Sequence, residues 1–326
     1  MGLFGVMFVL PAAIMMASNP TKSSLHPVPR EMKAIFATKP GVVEMQQVTT
    51  PVPKKGQVLV KMRAAPVNPS DVLHVEGRYS DDIGVFPRPV GFEGAGEVVA
   101  SGGGLMGKLL MGQRVSVGTP GGGSWAEYTV VESMKAIPLL GDISFREGAA
   151  VIVNPMTVIA MLDIASSLGV RSVILTASAS TLCQMMIRLA PEWGIEVIAV
   201  VRRESQVEML SALGAKQVLV SEATNFDDEL SRLAQSMDAR LAFDAISGPM
   251  PARLLAAMPR GAAVYVYGSL SGQPMGNLTT ADIVGKNKQL RGLSLPTYLK
   301  EGGLPRTLKF VKHVLSYLKT HLTTKF

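Results

Sequence analysis

A segment of small and hydroxyl-bearing residues, ASASTLC, runs from Ala177 to Cys183 between an apolar run and a helical stretch. It has the spacing of a glycine-rich phosphate loop, with Ala177, Ser180 and Cys183 at the three glycine positions. Small residues let the backbone approach a pyrophosphate, which helix N-terminal amides and hydroxyls can bind. The alternative is an ordinary serine-rich helix cap. The predicted pyrophosphate site comprises Ala177, Ser178, Ser180, Thr181, Leu182 and Cys183.

Two arginines follow the second apolar run of the same region. Arg202 and Arg203 come about 20–25 residues after the loop, and Glu204 follows them. A site for NAD places an acid at this strand end to bind the ribose hydroxyls, whereas arginine suits a 2′-phosphate. The alternative is a pair of solvated arginines that ends a strand. Together with the loop, the arginines predict NADPH as the cofactor.

Cysteine and histidine are too few and too scattered for a metal centre. The one cysteine, Cys183, excludes a disulfide framework within the chain and a cysteine-based zinc finger. His26, His74, His313 and His321 lie far apart, so we expect no metal. Cys183 could be a reactive thiol at a helix N-terminus, but a small packing residue is the favoured interpretation.

The two halves of the chain differ in their pattern. From Met32 to about residue 150, short runs with partial period-two alternation are separated by Gly and Pro, which is typical of a barrel or sandwich. From residue 151, strands alternate with helices, as in a doubly wound parallel sheet. The strands predicted in this second half are 172–178, 196–203, 217–222, 241–246 and 262–268, with helical segments at 181–190 and 205–215 among them. The predicted fold class is α/β, with a β-rich domain before a Rossmann-type domain.

Composition supports a folded protein of two domains. The 326 residues are 47% hydrophobic and 17% charged, which excludes wholesale disorder. The formal net charge is +7, but Lys and Arg are scattered in runs no longer than two. The basic surface therefore favours anionic small ligands over nucleic acid.

The N-terminal region is predicted to lie outside the fold. Residues 3–17 form a 15-residue apolar run, shorter than the roughly 20 residues of a bilayer span. Residues 18–30 contain hydroxyl and basic residues and no acid. An organellar presequence and a flexible extension before Met32 both remain open.

Further motifs give the chain a family resemblance from about Met32 to Phe326. It resembles the zinc-free medium-chain dehydrogenase/reductases, nearest to the 2-enoyl thioester reductases and the quinone oxidoreductases. The motifs, besides those above, are Asn68-Pro69-Ser70-Asp71, EGRY at Glu76–Tyr79, PVGFEGAGEVV at Pro89–Val99, Asn154-Pro155-Met156-Thr157, LGA at 213–215, LAFDAISG from Leu241 and VYGSLSGQP at Val266–Pro274.

The resemblance implies a GroES-like barrel domain followed by a Rossmann domain. The boundaries it implies are 1–31 for a targeting or flexible extension, 32–150 for the catalytic domain, 151–300 for the NADPH-binding domain and 301–326 for a C-terminal helix that returns toward the catalytic domain. Family members continue for some tens of residues after this helix, so the chain is expected to be either a truncated or a divergent member. The resemblance also implies a homodimer through the edge of the last strand. The predicted location is mitochondrial, because the acid-poor N-terminal stretch fits an organellar presequence, and the cytoplasm is the alternative.

The resemblance also implies a reaction without zinc. Phe92 stands where the zinc enzymes have a histidine, and Asn68 lies near the position of their cysteine ligand. The implied reaction is hydride transfer from NADPH to the β-carbon of a 2-enoyl thioester, with Tyr79 assisting at the substrate oxygen. The runner-up is a quinone reductase, and a non-catalytic NADPH- or RNA-binding relative is a third alternative.

The remaining implied site residues surround the nicotinamide. Asn68 and Thr157 would contact the cofactor; the alternatives are an Asx turn for Asn68 and a capping hydroxyl for Thr157. Tyr79 could instead be a loop aromatic that covers the site. Tyr267, Gly268 and Ser269 are implied to pass the nicotinamide. Leu293 and Ser294 replace a Phe-Trp pair of the enoyl reductases, which predicts a differently shaped substrate pocket.

Overall fold

The structure is a computed structural model that describes residues 27–79 and 85–323. The segment predicted over residues 1–31 lies outside the described residues as far as residue 26. The chain divides into two compact units, with the boundary between Val153 and Asn154. No helix within the described ranges is long and apolar enough to cross a membrane.

The first unit is built from antiparallel sheets. Its strands are β1 (Glu31–Lys39), β2 (Val42–Thr49), β3 (Gln57–Ala64), β4 (Arg88–Pro89), β5 (Glu93–Ser101), β6 (Arg114–Gly118), β7 (Tyr128–Glu132) and β8 (Ile137–Pro138), and its short helices are α1 (Pro69–Val75), α2 (Leu105–Leu110) and α3 (Phe145–Gly148). One sheet has the order β2-β1-β4 and the other β7-β3-β5-β6-β8. An isolated bridge between Ala34 and Ala126 links the two sheets.

Strand β3 shows why this unit needs apolar residues on both faces of a strand. Val58 and Val60 point to one side and pack with Val98 and Val115 in one cluster. Leu59 points to the other side and packs in a second cluster. All three β3 residues are almost fully buried, which accounts for the continuous apolar run in the sequence.

The second unit contains a six-stranded parallel sheet. Its strands are β9 (Ser172–Leu175), β10 (Glu196–Val201), β11 (Gln217–Val220), β12 (Leu241–Asp244), β13 (Ala263–Val266) and β14 (Gln289–Gly292). Its helices are α4 (Val153–Ser167), which begins at the unit boundary, α5 (Thr181–Leu189), α6 (Val207–Ala212), α7 (Phe226–Ser236), α8 (Met250–Ala257) and α9 (Leu295–Tyr317). The order β11-β10-β9-β12-β13-β14 is that of a doubly wound dinucleotide-binding sheet, which confirms the predicted fold class.

Several strands end earlier than predicted. The first strand of the parallel sheet ends at Leu175 rather than at residue 178, because the chain turns at Ala177 with a positive φ. The second ends at Val201, so Arg202 and Arg203 follow the strand. The sequence patterns also missed β2, which is mostly exposed, and the short β14.

The C-terminal helix α9 packs on the second unit. Its path bends at Gly303, which has a φ of 64°. The Tyr298 hydroxyl donates to Asp163 Oδ2 of α4 at 2.9 Å, and Lys309 Nζ donates to Asp163 Oδ1 at 2.8 Å. Arg188 of α5 donates from Nε to the carbonyl oxygen of His321 at 2.9 Å. These contacts tie α9 and the residues after it to helices α4 and α5.

Candidate active site

Helix α1 presents Asn68 at its N-terminus. Asn68 is the N-cap residue and Pro69 occupies the first turn, where no backbone N–H is needed. The fully buried Asp71 accepts the Asn68 amide at Oδ2 (2.7 Å) and the Phe92 amide at Oδ1 (2.9 Å). Burial raises the pKa of Asp71, although both hydrogen bonds oppose the rise. Asp71 thereby fixes the backbone on either side of the predicted site.

Glu93 binds the Asn68 side chain from the start of β5. Glu93 Oε1 accepts Asn68 Nδ2 at 2.9 Å, and Oε2 accepts the amides of Ile152 (3.0 Å) and Val153 (2.9 Å). Glu93 is only 1% exposed, and burial raises its pKa to about 7 against the effect of these hydrogen bonds. Sequence reasoning did not assign Glu93 to the site. The available signal was an acidic residue directly after Phe92 and before a run of small, apolar residues.

Tyr79 lies against Phe92 in the same unit. The two ring centroids are 5.1 Å apart, and the centroid of the His74 ring is 4.9 Å from that of Phe92. Tyr79 is 41% exposed, and burial together with the charge of Asp71 raises the pKa of its phenol. The phenol is therefore protonated at neutral pH and can donate a hydrogen bond or a proton.

The loop after β9 adopts a glycine-like conformation without glycine. Ala177 has a φ of +49°, in the left-handed region that glycine occupies most readily. Ser180 caps α5, and its hydroxyl accepts the Cys183 amide at 3.4 Å. Thr181 and Leu182 form the first turn of α5, where backbone N–H groups lack intrahelical partners. The loop thus leads from the carboxyl end of β9 through a left-handed turn to the capped N-terminus of α5.

One hydroxyl and one thiol of this loop, those of Ser178 and Cys183, point into the protein. The Ser178 hydroxyl donates to the Leu175 carbonyl at 2.8 Å and accepts the Val200 amide at 3.1 Å, so it joins two strands. Cys183 is fully buried, with Sγ 3.4 Å from the Tyr267 hydroxyl, and burial raises the pKa of its thiol. A buried thiol of raised pKa is unreactive, which supports the packing interpretation.

Replacing Ala177 with glycine should stabilise the protein by about 1 kcal/mol, because glycine adopts a positive φ without steric cost. The control is Ala179→Gly in the same half-buried loop, where φ is not positive. We expect that control to lose about 0.4–1 kcal/mol through the greater entropy of the unfolded chain. Urea unfolding measures the free energy of unfolding of both variants. A loss of stability in Ala177→Gly as large as that in Ala179→Gly would contradict backbone strain at Ala177.

The two arginines lie in an open turn after β10. Gln206 Oε1 accepts the backbone amides of Arg202 (3.2 Å) and Arg203 (3.0 Å), which holds the turn. Arg202 Nε lies 3.8 Å from Glu222, and both side chains are more than 60% exposed. An exposed pair at this distance contributes little, so an incoming anion can compete for the guanidinium group.

Polar groups also meet at the ends of β9, β12 and β13. Asp244 is fully buried, and its Oδ1 accepts the Thr176 hydroxyl at 2.6 Å while Oδ2 accepts the Ser247 amide at 2.7 Å. Burial raises the pKa of Asp244. The Tyr267 amide donates to the Asp244 carbonyl at 2.9 Å, which orients the segment that continues to Gly268 and Ser269. Sequence reasoning did not assign Thr176 or Asp244 to the site.

Gly268 is required by a close approach of two backbone segments. A Cβ at this position would lie 2.9 Å from the Ala245 carbonyl oxygen and 3.2 Å from its Cα, with no flexible side chain to move away.

Thr157 lies in α4 and is 8% exposed. Leu293 is buried and its amide donates to the Val266 carbonyl at 2.9 Å, whereas Ser294 is exposed at the start of α9.

Each unit thus gathers its own part of the predicted site residues. In the first unit, Asp71 accepts the amides of Asn68 and Phe92, and Glu93 accepts the Asn68 side chain. Tyr79 joins this group through its ring contact with Phe92. In the second, the loop, the arginines and the Tyr267–Ser269 segment follow the carboxyl ends of neighbouring parallel strands. Within residues 27–79 and 85–323, no three His, Cys, Asp or Glu side chains cluster so as to hold a metal ion.

Two family models match the chain. The alcohol dehydrogenase GroES-like domain matches residues 54–141, and the zinc-binding dehydrogenase domain matches residues 181–312. A GroES-like domain followed by a doubly wound nucleotide-binding sheet defines an oxidoreductase of the alcohol dehydrogenase type.

Similar proteins narrow this class. The mitochondrial enoyl-[acyl-carrier-protein] reductase of Arabidopsis thaliana is 30% identical over 267 residues, and that of Homo sapiens is 31% identical over 265; each match covers 80% of this chain and 70% of the relative. A solved Mesorhizobium loti protein assigned as an NADPH:quinone reductase is 33% identical, with a TM-score of 0.83 and 90% of each chain covered. The chain belongs to the medium-chain dehydrogenase/reductase family, which confirms the resemblance that the motifs indicated.

Proposed function

We propose that this oxidoreductase reduces α,β-unsaturated thioesters with NADPH and without a metal. The observation that carries the proposal is the contact of the Tyr79 ring with Phe92, whose amide Asp71 accepts. Asp71 and Glu93 also hold the backbone and the side chain of Asn68. The two enoyl-[acyl-carrier-protein] reductases of similar sequence support this substrate class.

The residues of the second unit fit a phosphorylated dinucleotide. The left-handed Ala177 and the first turn of α5 would bind the pyrophosphate, and Arg202 and Arg203 would bind the 2′-phosphate. The close packing at Gly268 brings backbone rather than a side chain to the strand end, where the nicotinamide would pass. Asn68 and Thr157 are the proposed contacts to its ribose.

The proposed chemistry assigns one role to each group. When bound, NADPH supplies a hydride to the β-carbon of the enoyl thioester. The electron pair of the carbon–carbon double bond moves toward the thioester oxygen, and the α-carbon then takes a proton. Tyr79 donates a hydrogen bond to the oxygen that gains charge, or the proton itself. The products are a saturated thioester and NADP⁺.

Oxidation of NADPH, followed by absorbance with a trans-2-enoyl-CoA, tests the proposal. We expect steady turnover with the enoyl thioester and none with the saturated thioester of the same length. Binding of NADPH without turnover of enoyl thioesters would overturn the substrate assignment. Turnover of a benzoquinone alone would establish the second candidate, which the 33% identity to the Mesorhizobium loti protein favours.

We propose that two copies of the chain associate through β14. This strand pairs with β13 on one side, and no strand of the described residues pairs with its other side. An edge strand offers unpaired amides and carbonyls to a second copy. The segment before it exposes apolar side chains, with Val284 74% exposed.

Sedimentation should therefore give twice the 34.6 kDa mass of the chain. Val284→Asp should shift the protein toward monomer, because a charge would be buried in the interface. Val52→Asp is the matched control, since Val52 is 82% exposed in the first unit. A monomeric parent, or equal effects of both variants, would contradict dimerisation through this edge.

We also propose a mitochondrial location, which the names of the two enoyl-[acyl-carrier-protein] reductase relatives support. Fractionation of cells that express the full chain with a C-terminal tag tests this location, and recovery in the cytoplasm alone would overturn it.

A further inference from the structure

Glu93 accepts three hydrogen bonds and donates none. Its donors are Asn68 Nδ2 on Oε1, and the amides of Ile152 and Val153 on Oε2. These donors lie 25, 59 and 60 residues away in the chain, so one carboxylate joins β5 to two other segments. The side chain is buried and no cation among the described residues forms an ion pair with it.

The carboxylate determines how the Asn68 side chain is oriented. A carboxylate only accepts hydrogen bonds, so Asn68 must present Nδ2 rather than Oδ1 to it. The Asn68 backbone is held independently, because its amide donates to Asp71 Oδ2 at 2.7 Å. The main chain and the carboxamide of Asn68 are therefore fixed by two different acids.

Stability alone does not account for a charge at this position. A buried carboxylate without a cation is costly, and glutamine of similar size would satisfy the two backbone amides through its oxygen. What glutamine cannot do is accept a third bond on its other end, because that end is an NH₂ group. Glutamate and glutamine at position 93 therefore differ in which end of the Asn68 carboxamide they can bind.

We propose that Glu93 is a positioning residue that holds the Asn68 carboxamide in the orientation that binds the nicotinamide ribose. Glu93 itself touches neither substrate nor cofactor in this assignment. The inference rests on the proposed function, because it takes Asn68 as a cofactor contact.

The variant Glu93→Gln tests the orientation directly. With the new oxygen on the amides of Ile152 and Val153, the new NH₂ group faces Asn68 Nδ2, and Asn68 must rotate its amide. We expect the KM for NADPH to rise about tenfold with little change in melting temperature. Glu97→Gln, on the same strand, is the matched control and should leave the KM unchanged.

A double variant separates positioning from general damage. If Glu93 acts through Asn68, Glu93→Gln should add no further loss in protein that already carries Asn68→Ala. The inference would be overturned if the rise in KM for NADPH in the double variant equalled the product of the two single rises. An unchanged KM for NADPH in Glu93→Gln would also overturn it. Failure of the parent protein to bind NADPH would instead overturn the proposed function.

The pH profile adds a readout that a purely structural role would not change. Burial raises the pKa of Glu93 to about 7, so the carboxylate is lost as pH falls through neutrality. The KM for NADPH should rise over this range in the parent and in Glu97→Gln, but not in Glu93→Gln. Asp71, the other acid that acts on Glu93, is unchanged in all three proteins, and α4 contributes only backbone amides.

Discussion

Replacing Tyr79 with phenylalanine should lower kcat for an enoyl thioester by about 100-fold or more, the range of a lost general acid or oxyanion donor. The raised pKa of the phenol keeps its proton at neutral pH, and phenylalanine retains the ring that packs on Phe92. The loss should therefore fall on the chemical step, with little effect on folding.

Initial rates at saturating NADPH, together with NADPH binding followed by fluorescence, measure this effect. Affinity for NADPH should stay within about twofold, because Tyr79 acts on the substrate rather than on the cofactor. Tyr317→Phe, in the C-terminal helix of the second unit, controls for loss of a phenol elsewhere. An unchanged kcat in Tyr79→Phe would leave the tyrosine as a loop aromatic that covers the site.

The double variant Arg202→Ala/Arg203→Ala should raise the KM for NADPH by about 100-fold and leave the KM for NADH nearly unchanged. Charge-assisted hydrogen bonds contribute about 1.5–3 kcal/mol each, and roughly 1.4 kcal/mol corresponds to a factor of ten. Because Arg202 is well exposed, solvent screening places the expected effect at the low end of that range.

The comparison of the two cofactors is decisive for the arginines. Only NADPH carries the 2′-phosphate, so a loss of affinity for NADH of the same size would show that the arginines support the fold instead. Arg240→Ala, an exposed arginine paired with Asp238 in the same unit, is the control for lost positive charge. Added salt should weaken NADPH binding more in the parent than in the double variant, because only the parent has both arginines.

Local pattern was sufficient to predict the parallel sheet, because its strands are continuous apolar runs bounded by helices. All four residues of β12 and the last four residues of β10 are buried. Both strands were predicted with the correct first residue and end two residues earlier than predicted. β2 was missed because most of its residues face solvent, and its pairing with β1 depends on a partner rather than on its own apolar pattern. The turn after β9 was predicted as strand because Ala177 and Ser178 continue the run in small residues and no glycine marks the turn.

The candidate site was predicted only where short motifs indicate chemistry. The loop and the arginines were predicted from residue type and spacing, and Asn68 and Tyr79 from the family resemblance. Glu93 and Asp244 were not found, because their roles depend on partners 25 to 68 residues away in the chain. Hydrogen bonds over such separations leave no periodicity in the sequence, and only the folded backbone brings their atoms together.

The turn at Ala177 has a consequence for how nucleotide-binding loops are recognised in other proteins. Nucleotide-binding loops are ordinarily recognised by the letters of a glycine signature, and this chain has none of the three glycines. The chain nevertheless retains the left-handed angle that the first glycine normally supplies. At Ala177 the chain therefore combines a left-handed backbone angle with a residue other than glycine. Screening structures for that angle between a parallel strand and a helix would recover members that text patterns overlook.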